Sequence, residues 1–327
     1  MKAVQVSRFG GPDVLALTEL PDPEPGPGRI AINVTHAAVG LIDVYIRQGL
    51  FKDAEGVPQP PYVPGLEVAG TVRALGEGVT GFAVGEKVVA LPGNASGGYA
   101  SVYVSDEARV VSTERHDIDP ALAAAVVPNA IMAHVALTRA IHLSAGESVL
   151  VHGALGAFAA TFPGVARQLG ASRVVGTVRA GRLAAAAATK LPYDAVVDSA
   201  RLPDVLDGEK FDVVVDPVGG SVRTQSLDLL APSGRLLLVG NAGGDWGAAG
   251  IDGNQIWLRN VTVAGFNAGA YLPAHPESIR PAAEVALKAV ADGLVDTEVE
   301  ILPLAEAATA HERLESHTAN GRIVLTP

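Results

Sequence analysis

The sequence predicts an α/β protein, a doubly wound parallel sheet accompanied by a smaller β domain. Three observations predict it. Strand and helix patterns alternate from Pro120 to about Asn267. The strands in that stretch are continuous apolar runs, which only a sheet covered on both faces buries. The residues before Pro120 instead carry short β-branched runs between Gly/Pro-rich turns, the mark of a small barrel or sandwich.

In the first part the runs are Ala31–Val34, Val68–Val72, Lys87–Ala90 and Val102–Val104, punctuated by PDPEPGPG, VPQPPYVPG, GEGVTGFAVGE and LPGNASGG. Pro120–Ile141 is Ala-rich and reads as a helix interrupted at Pro128. Ser148–His152 is a strand, with a helical stretch after it to Leu169. Arg173–Val178 is a strand, followed by a helix at Arg182–Lys190. Strands Ala195–Asp198, Asp212–Val215, Arg235–Val239 and Val261–Phe266 complete the series. A helix at Ile279–Asp292 and a strand at Arg322–Leu325 follow. No repeat of 20–50 residues and no low-complexity linker is visible.

The chain has 327 residues, 48% hydrophobic and 18% charged. That length suggests two domains, and the composition excludes a disordered chain. The formal net charge of -11 disfavours nucleic acid as a partner. With no cysteine there is no disulfide, thiol nucleophile or Cys-built zinc site. MKAVQVSRFGG lacks the apolar core of a signal peptide. No apolar stretch approaches the ~20 residues of a membrane span without Gly, Pro or charge. The mean hydropathy of +0.29 is therefore assigned to core, and a cytoplasmic protein with no membrane partner is expected.

The most informative segment is ESVLVHGALGAFAATFPGVARQLG, Glu147–Gly170. A buried strand enters a small-residue turn and then a helix. Such a turn lets a pyrophosphate approach backbone amides. The full G-x-G-x-x-G is absent, with Ala154, Gly156 and Ala159 at its positions and Gly153 just before. The bland reading is an ordinary tight turn; the further strands at the right spacing favour a nucleotide. Gly153, Ala154, Leu155, Gly156, Ala157 and Phe158 are the candidate contacts. Pro163 and Gly164 weaken the helix after the turn, so a kink or late start is expected, with local irregularity as sufficient cause.

The second strand ends in GTVRAGR. A reader of a ribose 2′-hydroxyl needs an acid about 20 residues past the turn. This chain offers Arg179 and Arg182, and no acid before Asp194. Guanidinium suits a 2′-phosphate, so NADPH is expected over NADH, with Thr177 also assigned to the site. The alternative is a pair of solvated surface arginines.

These motifs converge on a family. GLIDVYIRQG (Gly40–Gly49), YVPGLEVAGTV (Tyr62–Val72), GVTGFAVGEKV (Gly78–Val88) and GGYA (Gly97–Ala100) stand in order. The turn at Gly153–Ala159, FDVVVDPVGG (Phe211–Gly220), GRLLLVG (Gly234–Gly240) and ANGRIVL (Ala319–Leu325) follow. Over nearly its whole length the chain resembles the zinc-independent quinone oxidoreductases of the medium-chain dehydrogenase/reductase superfamily. The resemblance implies a GroES-like β-barrel catalytic domain, residues 1–121 and 268–327, around an inserted Rossmann domain, residues 122–267. It implies a cleft holding NADPH and substrate, and a homodimer joined through sheet edges near Val261–Phe266.

The zinc alcohol dehydrogenases carry Cys and His-Glu ligand motifs where this chain has Ala38–Gly40 and Leu66–Glu67. Leu binds no metal, and the eight histidines have no ligand spacing; each is expected to be an ordinary surface or half-buried residue. Without a Lewis acid, acceptors that are already electrophilic are favoured. The enzyme then supplies proximity between nicotinamide and acceptor.

The resemblance places Tyr45 in the cleft as proton donor or hydrogen-bond donor, the bland reading being a structural tyrosine. It makes Asp43 an orienter or helix-terminus partner. Leu41 and Met132 replace polar residues of many relatives and make the substrate pocket more apolar. Asn241, Phe266, Asn267 and Asn320 match positions around the nicotinamide and its ribose. Ser199 stands where relatives often have Tyr, and Trp246 and Trp257 are read as packing or interface residues. The expected function is metal-free hydride transfer from NADPH to quinones. The alternatives are NADPH-dependent reduction of an enone or 2-alkenal C=C bond, or a catalytically weak NADPH-binding protein.

Overall fold

The computed structural model describes residues 1–92, 96–202, 206–247 and 250–327. Part of the turn expected at LPGNASGG lies outside these residues. The chain divides into two units. The first is Met1–Pro128, Leu272–Ala283 and Glu298–Pro327; the second is Asn129–Tyr271 and Glu284–Thr297.

The first unit begins with an antiparallel pair, β1 (Lys2–Val6) and β2 (Leu15–Glu19). Its main sheet joins β3 (Arg29–Ala38), β4 (Glu67–Leu75), β5 (Lys87–Ala90), β6 (Val102–Asp106) and β7 (Val110–Ser112) to β14 (Val299–Pro303) and β15 (Arg322–Thr326). β15 pairs antiparallel with β3, so the C-terminal segment completes the N-terminal sheet. Ile30, Ile32, Val68, Val88 and Ile323 share one apolar core. A short helix, α1 (Leu41–Arg47), leaves the end of β3.

Helix α2 runs Pro120–Val135 and continues as a π turn to Ala140. Asp119 starts it by accepting the Ala121 and Leu122 amides at 2.9 and 3.1 Å, with Pro120 pre-set for a first turn. Pro128 does not interrupt the helix as expected. Its missing N–H removes one backbone bond, but the flanking Ala124–Val127 and Ala130–Ile131 are buried and hold both halves in place. Pro120–Ala140 is also long and apolar enough to cross a membrane, a stretch discounted in the sequence because of its proline and charge. Of its most apolar window, 83% is buried within the protein.

Among the described residues the second unit holds six parallel strands. They are β8 (Ser148–Val151), β9 (Arg173–Val178), β10 (Ala195–Asp198), β11 (Phe211–Asp216), β12 (Leu230–Leu238) and β13 (Thr262–Gly265). Their order is β10-β9-β8-β11-β12-β13. This is the doubly wound arrangement, with its reversal between β8 and β11. Helices α3 (Phe162–Gln168), α4 (Leu183–Ala188), α5 (Ser221–Leu227), α6 (Gly253–Arg259) and α7 (Ala268–Ala274) are interspersed with the strands; α8 (Ile279–Ala291) and α9 (Ala307–Glu315) follow. Leu150, Val175, Phe211, Val214 and Leu236 form the core beneath the sheet's covering helices.

Helix α3 starts late, as expected, with Pro163 in its first turn. Local irregularity is not the whole cause. A Cβ on Gly164 would lie 2.3 Å from the Leu294 carbonyl oxygen, so the glycine permits a close approach by the segment after α8. The same packing assigns Glu284–Thr297 to the second unit, whereas the expected boundaries put all of 268–327 in the first. Gln168 to Asp292 at 3.2 Å and Lys190 to Asp296 at 3.4 Å add polar ties.

Candidate active site

The carboxyl edge of the second unit's sheet gathers most of the expected cofactor residues. β8 ends at Val151 and the chain turns through residues 153–158. Gly153 has φ +63, which strains any residue with a side chain, and a Cβ there would sit in tight contact, 3.2 Å from Val218 Cγ2. The turn is tied to its neighbours. The Ala154 amide donates to the Thr177 carbonyl at 2.8 Å, and the Tyr193 hydroxyl donates to the Ala154 carbonyl at 3.1 Å. Leu155, Ala157 and Phe158 are half-buried and Gly156 is exposed.

The neighbouring loops are braced in turn. Asp216, at the end of β11, is fully buried. Its Oδ1 accepts the Val218 and Gly219 amides, both at 2.8 Å. The Ala242 and Gly243 amides then donate to the Pro217 and Val218 carbonyls at 2.9 and 2.8 Å. Loops after β8, β11 and β12 therefore meet at the strand-order reversal, the place where open α/β sheets bind ligands. Asn241 is buried in the last of these loops. Beyond β13, the Phe266 ring packs on Tyr271 at 5.4 Å. Exposed Asn267 accepts the Gly269 amide at 3.0 Å.

Arg179 is exposed and Arg182 half-buried just past β9, and half-buried Ser199 follows β10 next to them. Asp194, the first acid after the turn, lies at the opposite, amino edge. Its Oδ2 accepts the Val174 amide at 2.7 Å and pairs with Arg167; burial opposes its ionisation, but these contacts hold its pKa below the usual value. It is not placed to read a ribose. A positive-φ glycine turn with exposed Gly156 and Arg179 beside it fits a phosphorylated dinucleotide.

Thr177 differs from expectation. It is 1% exposed, and its Oγ1 bonds His152 Nδ1 at 3.1 Å, while His152 Nε2 bonds Ser226 Oγ at 3.0 Å. The Thr177 side chain braces strands beneath the turn instead of lining the edge. His152 and His311 also depart from the surface or half-buried placement expected of the histidines: both are buried. Burial lowers the His152 pKa to about 4, so its imidazole is neutral.

In the first unit, α1 carries Leu41, Asp43 and Tyr45. Asp43 is buried, and its Oδ2 accepts the Gly40 amide at 2.8 Å, closing the first turn. Burial is the main cause that raises its pKa to about 7. Tyr45 is half-buried with its ring edge-on to Phe51 at 6.4 Å, and burial raises its pKa above the ordinary 10. Ile42 and Leu50, beside it in sequence, are exposed. Asn320 is exposed just before β15, in this unit. Met132 is buried in α2, in the second unit.

A buried polar cluster in the first unit was not read from the sequence. Arg322 pairs with Glu67, and Arg47 with Glu315. Tyr99 lies between Asp43 and His311. The only sequence signal was polar residues inside otherwise apolar motifs such as LIDVYIR and GLEVAG. Leu66, preceding Glu67, offers no metal donor, and the Glu67 carboxylate is engaged by Arg322. Among the described residues no three His, Cys, Asp or Glu side chains cluster as metal ligands. These residues do not fit a zinc site.

The alcohol dehydrogenase GroES-like domain matches residues 26–115, and the zinc-binding dehydrogenase domain matches residues 169–325. A quinone oxidoreductase of Pseudomonas aeruginosa is 32% identical over 100% of this chain and 99% of its own length. A 2-haloacrylate reductase of a Burkholderia species is 28% identical over 99% of this chain and 98% of its own. The Escherichia coli quinone oxidoreductase complexed with NADPH superimposes with a TM-score of 0.86 at 27% identity, covering 100% of both chains. With the strand order, the braced carboxyl edge and a sheet completed by the C-terminal segment already established, full-length similarity at this level settles the family: the chain is an oxidoreductase of the quinone oxidoreductase family within the medium-chain dehydrogenases/reductases.

Proposed function

We propose that this protein reduces quinones with NADPH and without a metal. The observation that carries the reading is the carboxyl edge of the second unit. There a positive-φ glycine turn stands beside β9, which Arg179 and Arg182 follow, while Asp194, the first acid after the turn in sequence, is engaged at the opposite edge and Asp198, at the end of β10, accepts the Ala200 amide at 3.0 Å. A bound nicotinamide supplies a hydride. The turn at residues 153–158 admits the diphosphate, Arg179 and Arg182 take the 2′-phosphate, and Asn241, Phe266, Asn267 and Asn320 serve the nicotinamide end.

The acceptor side is assigned to α1. Ile42 and Leu50 are 42% and 48% exposed, with Leu41 and Phe51 beside them. This apolar surface suits a flat, weakly hydrated acceptor. Tyr45 keeps its proton across the physiological range, because burial raises its pKa. Its Oη therefore serves as a hydrogen-bond donor to the acceptor oxygen or as a proton source. Leu66, with no donor atom, leaves polarisation of the acceptor to the acceptor's own electronics, and a quinone needs none from a metal.

Reduction of an activated C=C bond is the second reading, favoured by the similarity to the 2-haloacrylate reductase. NADPH oxidation measured with 1,4-benzoquinone beside 2-alkenals and cyclic enones separates the two. Turnover of the C=C substrates alone would remove the quinone assignment. We also propose a homodimer, supported by Trp257 and Leu258, 74% and 70% exposed on α6, next to edge strand β13. Trp257→Glu is expected to give a smaller species in light scattering, and an unchanged mass would contradict this contact.

A further inference from the structure

Three segments of the first unit meet in one buried hydrogen-bond chain that ends on a carboxylate oxygen. Asp43 Oδ2 accepts the Gly40 amide at 2.8 Å and the Tyr99 hydroxyl at 3.2 Å. The Tyr99 oxygen lies 3.1 Å from His311 Nε2, and the two rings meet edge-on with centroids 5.8 Å apart. Asp43, Tyr99 and His311 are 3%, 0% and 0% exposed. Since Tyr99 donates its only proton to Asp43, its oxygen accepts from His311, which requires the Nε2–H tautomer. The buried Nδ1 of His311 has no hydrogen-bond partner among the described residues, consistent with a ring protonated at Nε2 alone. Burial lowers the His311 pKa to about 3 and keeps the ring neutral. The chain of donors therefore runs in one direction, from His311 through Tyr99 to Asp43, and ends where α1 begins.

We infer that His311 and Tyr99 are positioning residues that fix the first turn of α1 and so orient Tyr45, two residues beyond Asp43. The consequence for the reaction rests on the assignment of Tyr45 to the acceptor; the consequence for the helix does not. Other charged or titratable groups around the chain are Glu67, Arg322 and Tyr62 near Asp43, and Arg47 near Tyr99 and His311. Glu67 opposes its ionisation, and Arg322 favours it.

The test uses Tyr99→Phe, which keeps the ring and removes the hydroxyl, and His311→Leu beside His311→Gln, which retains a donor. Hydrogen exchange over residues 40–47 is expected to accelerate roughly 5–10-fold in Tyr99→Phe and His311→Leu, the effect of one lost hydrogen bond. Protection should return in His311→Gln. The Tyr99 hydroxyl also favours the ionised Asp43, so the pH midpoint of protection should move upward in Tyr99→Phe. A tyrosine that only fills space would leave that midpoint in place. Wild-type exchange and an unmoved midpoint in folded Tyr99→Phe and His311→Leu would overturn the inference. On the reaction side, kcat with 1,4-benzoquinone should fall about tenfold at constant NADPH affinity, given the sensitivity of rate to geometry. Faster exchange with unchanged kcat would support the positioning of α1 and instead contradict the role proposed for Tyr45.

Discussion

The two units bury polar groups in different ways. In the first, ionisable side chains sit inside the core: Arg322 against Glu67, Arg47 against Glu315, and Asp43 against Tyr99. In the second, the polar groups buried among the strands of the sheet include neutral His152 between Thr177 and Ser226. Asp216, buried at the sheet's carboxyl edge, ties a loop and faces Arg223 at 3.5 Å. The first unit thus depends on charge pairing, and the second on close packing and on backbone shape at its carboxyl edge. Charge pairing responds to pH and to loss of one partner; close packing responds to added volume.

The largest effect is expected from Arg322→Met, which leaves Glu67 buried without its partner. Chemical denaturation should show a loss of about 3–5 kcal/mol, largely recovered in Glu67→Leu/Arg322→Met. Next, Arg179→Glu with Arg182→Glu should weaken NADPH by roughly 100-fold in titration calorimetry and NADH far less. Equal losses would contradict the 2′-phosphate role. Gly164→Ala should then cost about 1–3 kcal/mol through overpacking against Leu294, in the second unit and without pH dependence.

A further effect is a slope of stability with pH. Burial raises the Asp43 pKa from 3.8 to about 7, and burial also raises that of Glu67. Between those values the folded state holds a proton that the unfolded chain releases. Stability of the first unit is therefore expected to fall as pH rises from about 4 to about 7 and to level off above. Asp43→Asn should flatten much of the slope across that window, and a slope unchanged in this variant would remove Asp43 as its source.

Legibility followed the same division. The apolar runs of β8, β9, β11 and β12 have one reading, a sheet covered on both faces, and the strands lie where that reading put them. The late start of α3 was legible in Pro163, but the role of Gly164 was not, because Leu294 is distant in sequence. Pro128 misled, since the burial that sustains α2 is tertiary. The position of Arg179 just past β9 was legible from the strand's apolar run. Thr177 was not, because its hydroxyl is engaged by His152, just past the neighbouring strand β8 and 25 residues away in sequence. The Asp43–Tyr99–His311 chain joins three distant segments, and a single histidine in AATAHERLE carries no sign of its partners.

Metal-free hydride transfer is tested most directly by following NADPH oxidation with 1,4-benzoquinone after exhaustive dialysis against a chelator, with bound metal quantified on the same sample. Turnover that persists with far less than one equivalent of metal, and that is much slower with NADH, is the predicted result. Turnover that vanishes on chelation and returns with zinc would contradict it.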